Sequence, residues 1–325
     1  MVRKGFDIVT LEDIRQAQAR IRGVAVRAPL IPFPGVDGLW LKLESLQPTG
    51  AFKLRGAYNR ISTLSEDERR RGVITYSSGN HAQAVAFAGR ALGARAVVVM
   101  PSNAPPRKIE STRALGGEVV MVGPGSAERH QKAEQLAAEH GYVMVPPYDD
   151  ERIIAGQGTA GLEIMEDMPD AELVLAPISG GGLLSGVATA MKLSRPQAKV
   201  KVVGVEPELA ADARESLRSG RIVEWPAEKT TRTICDGLRT QSVGALPFEH
   251  LRLYVDDIVT VTEDEIRAAM RRLALEARVL AEPSGAVSAA AFLFHRDQLP
   301  QARRAVAVIS GGNADPGLLA EILKR

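Results

Sequence analysis

The chain has a single cysteine, Cys235, which excludes an internal disulfide and any zinc site built from several cysteines. Aromatic residues are only 4% of the total and the net charge is only +2. No basic stretch interleaves with aromatics, so the composition speaks against nucleic acid, and so small a charge gives no reason to expect binding to an anionic membrane. No apolar run approaches the roughly 18 residues needed to span a bilayer. The opening residues, MVRKGFDIVT, lack an apolar core after their charges, so no secretory signal is expected. The five histidines are not clustered, and neither a His-Glu-x-x-His nor a Gly-x-Ser-x-Gly pattern occurs, which weakens zinc-hydrolase and serine-hydrolase readings. The expectation left standing is a cytoplasmic enzyme or binding protein. Its 325 residues are enough for a large core and two lobes.

What is present is a regular alternation. Thr10, Ser65 and Thr262 are each followed three positions later by an acid, the pattern that starts helices. Short β-rich runs read as strands at residues 39–44, 73–77, 96–100, 118–122, 173–178, 200–205, 258–261 and 305–309. Several are apolar without interruption, as in parallel sheets covered on both faces. Residues 73–145 alternate strand and helix compactly, and residues 173–325 repeat this less regularly, with Pro207, Pro226 and Pro247 marking longer connections. The fold class is therefore α/β. Ligands are expected where strand C-termini meet helix N-termini.

Four such junctions carry small or polar residues. Residues 48–57 read PTGAFKLRGA and place Lys53 near a helix start at about Ala51, with no acid in the next five positions. An amine there meets an unfavourable helix dipole, which lowers its pKa and suits imine chemistry better than a salt bridge. Residues 179–186 read SGGGLLSG between a strand and a helix expected at 183–193. That is either a tight turn or an anion cradle. A P-loop would need Gly-Lys-Ser/Thr after the glycines, and Ser185 occupies the last glycine position of a dinucleotide fingerprint. The third junction, residues 77–83 (SSGNHAQ), could aim polar groups at a carboxylate, or Asn80 could simply cap a helix. The fourth is residues 310–313 (SGGN).

Taken with further pieces elsewhere, these segments resemble one family. They are residues 43–57, 77–83, 154–159 (IAGQGT), 179–182, 205–207 (VEP), 236–237 (DG), 281–285 (AEPSG) and 310–313, in order along nearly the whole chain. The set resembles the fold-type II pyridoxal-phosphate enzymes, a tryptophan synthase β-like fold, and within them the threonine/serine dehydratase and serine racemase group. The resemblance implies two lobes, each with a mostly parallel sheet flanked by helices: a large cofactor-binding domain of residues 1–65 and 148–325, and a small mobile domain of 66–147. It implies that Lys53 holds pyridoxal phosphate as an imine and later acts as general base. Phe52 and Asn80 would contact the ring, Ser179, Gly180, Gly181, Gly182 and Leu183 the phosphate, and Ser310 the pyridine nitrogen. A hydroxyl there leaves the ring a weaker electron sink than a carboxylate would, favouring elimination over transamination. Ser77, Ser78, Asn80 and His81 would bind the substrate carboxylate.

The implied reaction is deamination of L-threonine or L-serine to 2-oxobutyrate or pyruvate plus ammonia. The serine at position 78 is also found in serine racemases, where it is the acid–base group on the opposite face, and in 3-hydroxyaspartate dehydratases. Arg129 lies near an arginine that contacts dicarboxylates in this group. Glu206, the Ala210 carbonyl and Asp212 match the spacing of a Mg²⁺ site, or one for Ca²⁺ or Mn²⁺. A homodimer is the family expectation. Pro48 stands where eukaryotic racemases have a lysine associated with nucleotide activation, so no ATP response is expected. The sequence stops at Arg325, and no isoleucine feedback domain is expected. The rival readings are a catalytically silent amino-acid or phosphate-binding protein and a β-replacement enzyme of the same fold.

Overall fold

A computed structural model describes residues 7–77, 79–102, 104, 106–123 and 126–324. The expected alternation of strands and helices resolves into two sheets. The larger contains β1 (Leu30–Pro32), β2 (Leu39–Lys42), β7 (Leu173–Pro177), β8 (Lys201–Pro207), β9 (Asp257–Val261) and β10 (Ala305–Val308) in the order β1-β2-β10-β7-β8-β9. Only β1 runs antiparallel to its neighbour. The smaller sheet is fully parallel, with β3 (Val73–Tyr76), β4 (Ala96–Pro101), β5 (Gly117–Val122) and β6 (Val143–Met144) in the order β5-β4-β3-β6.

The uninterrupted apolar runs have a simple cause. Leu173, Leu175, Ala305 and Ala307 belong to one core, whereas Val174, Ala176, Val306 and Val308 belong to another. The two cores lie on opposite faces of the large sheet, so neither parity of side chain can be polar. All three expected helix starts form reciprocal capping boxes: Thr10 with Asp13, Ser65 with Glu68, and Thr262 with Glu265. Among the described residues no helix is long and apolar enough to cross a membrane.

One local expectation fails. The helix near Lys53 spans Lys53–Ser62 and does not begin at Ala51. Ala51 instead forms an antiparallel bridge with Gly311, and the Phe52 N–H donates to the Ser310 carbonyl at 3.0 Å. Long-range backbone pairing takes those two residues away from the helix.

Candidate active site

The sheet order explains why distant segments meet. Strands β2, β10, β7 and β8 are consecutive and parallel, so their C-terminal ends form one edge. After them come, respectively, the segment leading to Lys53, then Ser310, the glycine loop, and Glu206 with Asp212. Ser77, Asn80 and His81 reach the crevice from the end of β3 in the smaller sheet, and Asn80 is tied across it to Asn313.

Lys53 is the first residue of its helix and has no carboxylate partner. Its Nζ donates to the Pro147 carbonyl at 2.6 Å and lies 5.2 Å from the centre of the Phe52 ring. Desolvation pushes its pKa down to about 8. The sequence pointed to the helix dipole, but burial is the cause that the structure supplies. A rise in pH through about 8 therefore converts Lys53 from ammonium to free amine. Imine capture of an aldehyde by the cofactor-free protein should rise from pH 6.5 and level off above about pH 9. Stopped-flow absorbance reads this directly, and a midpoint near that of an ordinary lysine would contradict it.

The glycine loop turns directly above an aromatic ring. A Cβ on Gly180 would lie 2.3 Å from the Tyr148 ring, and one on Gly181 would lie 2.6 Å from Pro247. Gly181 also adopts a left-handed conformation, with φ +96°. The helix that follows, Gly182–Ser194, includes Leu183 in its first turn and opens without a side-chain cap. Its first N–H groups have no acceptor within the helix, which is the ordinary setting for an anion. Ser179 Oγ sits 2.7 Å from Thr240 Oγ1. The buried Ser310 hydroxyl donates to the Ser284 carbonyl at 3.4 Å, a long contact that leaves it available to a better partner.

Asn80 does not cap its helix. Gly79 is the N-cap, and the Asn80 amide is engaged across the crevice: Nδ2 donates to Glu282 at 2.6 Å and Oδ1 accepts from Asn313 at 2.8 Å. One Nδ2 hydrogen remains unused. Glu282 is buried, and burial, then the charge of Asp236, pushes its carboxyl up to about 7. His81 Nε2 faces the Val145 carbonyl at 3.0 Å. A carbonyl only accepts, so the His81 Nε2 is the donor in this contact. Burial, with the positive charge of Lys53, holds its pKa down at about 3. Its Nδ1 is buried without a partner. Ser77 Oγ accepts from the Gly79 N–H at 3.3 Å. Ser78 lies outside the described residues.

Arg129 sits half-buried on helix Ser126–His140 near Tyr76. Its Nε is buried without a partner, and burial lowers its pKa. Glu206, at the end of β8, accepts from the Ala213 and Arg214 N–H groups at 3.1 and 2.8 Å. Asp212 Oδ2 is buried and unpartnered. Burial first, and then the neighbouring negative charge, raises the Glu206 carboxyl; burial raises that of Asp212. Among the described residues no cluster of three or more His, Cys, Asp or Glu side chains forms a metal cage.

Sequence reasoning missed Glu282, Asn313 and Pro147 as partners of site residues. The first two lie in segments singled out as 281–285 and 310–313, but nothing local says what they bind. Pro147 acts through a carbonyl oxygen, which has no sequence signal.

A desolvated amine without a carboxylate partner, a glycine loop at an open helix N-terminus and a buried hydroxyl along one sheet edge suit an aldehyde cofactor bearing a phosphate. The family described as "Pyridoxal-phosphate dependent enzyme" matches residues 21–311. The chain belongs to this family. The L-threonine ammonia-lyase of Thermotoga maritima is 44% identical over 98% of this chain and 79% of that protein. The L-threo-3-hydroxyaspartate ammonia-lyase of Saccharomyces cerevisiae is 38% identical over 95% of this chain and 94% of that one. The structure of maize serine racemase superposes with a TM-score of 0.91 at 36% identity, covering 98% of each chain. The fold is thus fold-type II, and the cofactor is pyridoxal phosphate.

Proposed function

We propose that the protein is an ammonia-lyase that converts L-threonine and L-serine to 2-oxobutyrate and pyruvate, with ammonia released. The observation that carries this is Lys53: a half-buried, desolvated amine with a pKa of about 8 and, among the described residues, no carboxylate partner, at the head of a helix. Pyridoxal phosphate, when bound, supplies a sink for negative charge developing at the substrate Cα. The backbone N–H groups of Gly180, Gly181, Gly182 and Leu183, with Ser179, would hold its phosphate. Phe52 would flank the ring, the free Asn80 N–H would face the ring oxygen, and Ser310 would face the ring nitrogen. Ser77, Ser78, Asn80 and His81 would bind the substrate carboxylate. With its amine free, Lys53 would take the Cα proton as general base. The β-hydroxyl would then leave with a proton as water, and hydrolysis of the released enamine, after it tautomerises to the imine, would consume one water and give the 2-oxo acid and ammonia.

The test is proton NMR of the cofactor-loaded protein with L-serine in D₂O, followed by chiral analysis of the remaining serine. Pyruvate without D-serine supports the lyase reading. Cα-deuterated D-serine as main product would replace it with racemisation through Lys53 and Ser78. Failure of either product to form would favour a silent binding protein. The unpaired, half-buried Arg129 guanidinium favours a second reading, in which a 3-hydroxyaspartate β-carboxylate is the preferred side chain. Adding 3-hydroxyaspartate to the same assay decides between them.

Glu206, the Ala210 carbonyl and Asp212 fit a hard divalent cation, Mg²⁺ first, then Ca²⁺ or Mn²⁺, because the orphaned Asp212 Oδ2 is an acceptor without a donor. Chelator-treated protein should melt at higher temperature on adding Mg²⁺ at about 100 times its Kd, a linkage worth about 2.7 kcal/mol. Asp212→Asn should abolish that gain. We further infer a cytoplasmic homodimer, in which the segment 66–147 moves as a smaller lobe against the rest.

A further inference from the structure

Lys53 and the glycine cradle stand on different helices, Lys53–Ser62 and Gly182–Ser194. A third helix, Glu151–Asp167, packs against both. Each contact is made backbone to backbone. A Cβ on Gly156 would lie 2.5 Å from the Gly56 Cα and 2.7 Å from the Arg55 carbonyl oxygen. On the other side, a Cβ on Gly186 would lie 2.4 Å from both the Gly158 nitrogen and the Ile154 carbonyl oxygen. Neither contact can be relieved by rotating a side chain, so any added atom moves a helix. The glycines thus set the distance between helices.

The register along the helices is set by charge. Arg55, two residues from Lys53 and fully buried, donates from Nη1 to Glu163 at 2.8 Å and to Thr159 at 3.0 Å. Its Nε donates to Glu44 at 2.7 Å. The Gly56 N–H donates to Gln157 at 3.3 Å, and Asn59 Nδ2 to the Arg152 carbonyl at 2.7 Å. A guanidinium fork between two carboxylates resists sliding as well as separation. A ligand held at one end by an amine and at the other by a phosphate cradle gains from both contacts only when the span between them matches its length.

We infer that helix Glu151–Asp167 is the spacer that matches the span between Lys53 and the glycine cradle to the length of the cofactor. Arg55 and the glycine contacts at 56/156 and 158/186 are its positioning residues. This rests on the proposed placement of pyridoxal phosphate between Lys53 and Gly180–Leu183.

The experiment uses cofactor-free protein and three probes: pyridoxal phosphate, pyridoxal, which lacks the phosphate, and inorganic phosphate. Affinities are measured by calorimetry for the wild type, Gly156→Ala, Gly186→Ala and Arg55→Lys. Gly89→Ala is the control. Its Cβ would also meet backbone, 2.9 Å from the Ala94 carbonyl oxygen, but it lies outside the path from amine to cradle. In the first three variants pyridoxal phosphate should bind about 100-fold more weakly, on the scale of the rate loss that a misplacement of about 1 Å can cause at a reacting centre. Pyridoxal and phosphate, which each use one end, should stay within about threefold of wild type. A general loss of stability would not produce that split. Equal losses for all three probes, an unchanged affinity for pyridoxal phosphate, or the same split in Gly89→Ala would overturn the spacer. Should the two glycine variants fail to fold, Arg55→Lys, which keeps the charge and loses the fork, decides alone. Failure of the wild type to bind pyridoxal in a Lys53-dependent manner would instead sink the placement of the cofactor.

Discussion

Lys53→Ala protein should lose turnover of L-threonine and L-serine by more than about 10⁴-fold, because one side chain serves as both covalent anchor and general base. Two features make the loss hard to compensate. The lysines nearest to it are held in ion pairs, Lys42 with Glu163 and Lys108 with Asp236, and His81, with a pKa of about 3, is too weak a base to remove a Cα proton. The fold should survive. Lys53 makes one side-chain hydrogen bond, to Pro147, and no ion pair, so removing a desolvated amine costs little. Far-UV dichroism and the melting temperature should match the wild type, while the visible band of the lysine-bound cofactor disappears. Residual turnover within about tenfold of wild type, with Cα–deuterium exchange intact, would assign the base elsewhere.

Arg55→Met should have the largest effect on stability, a loss of about 3–5 kcal/mol, the range for breaking a buried ion pair. Arg55 and Glu44 are both fully buried, and the guanidinium makes a two-pronged contact with Glu44, at 2.7 and 2.8 Å, besides its contacts with Glu163. Burial alone would lower the pKa of Arg55; the two carboxylates overcome it and raise it. Methionine fills much of the volume but leaves Glu44 with a single donor, Gln47, and leaves Glu163 to Lys42. The urea midpoint should fall with the slope unchanged. The double variant Arg55→Met/Glu44→Gln restores charge balance, since Lys42 still pairs with Glu163 at 2.6 Å, and should recover part of the loss. A midpoint within experimental error of wild type in Arg55→Met would mean that the network contributes nothing net.

Local chemistry made much of this legible in advance. Capping boxes at Thr10, Ser65 and Thr262 depend only on residues three apart, so their sequence is their evidence. The same holds for the glycine loop, where a left-handed turn at Gly181 needs a residue without Cβ. Lys53 stood out because it is a charged residue lacking nearby acids. Errors appeared wherever a distant segment competes for the same atoms. Ala51 is held outside the helix by its bridge to Gly311, and Phe52 is the N-cap, its N–H given to the Ser310 carbonyl. Asn80 abandons the capping role because Glu282 and Asn313 take both ends of its amide.

The α/β class, the family and the residues available for chemistry were all readable from the chain, because side-chain type and short-range spacing carry those. Only the tertiary structure decided how these residues work. Lys53 is depressed by burial, and burial is a property of everything packed around it. Asn80 is oriented by groups more than 200 positions away, and the amine-to-cradle span depends on three helices meeting at glycines. Such contacts arise from sheet order and helix packing, whose physical terms sum over the whole chain and leave no local mark.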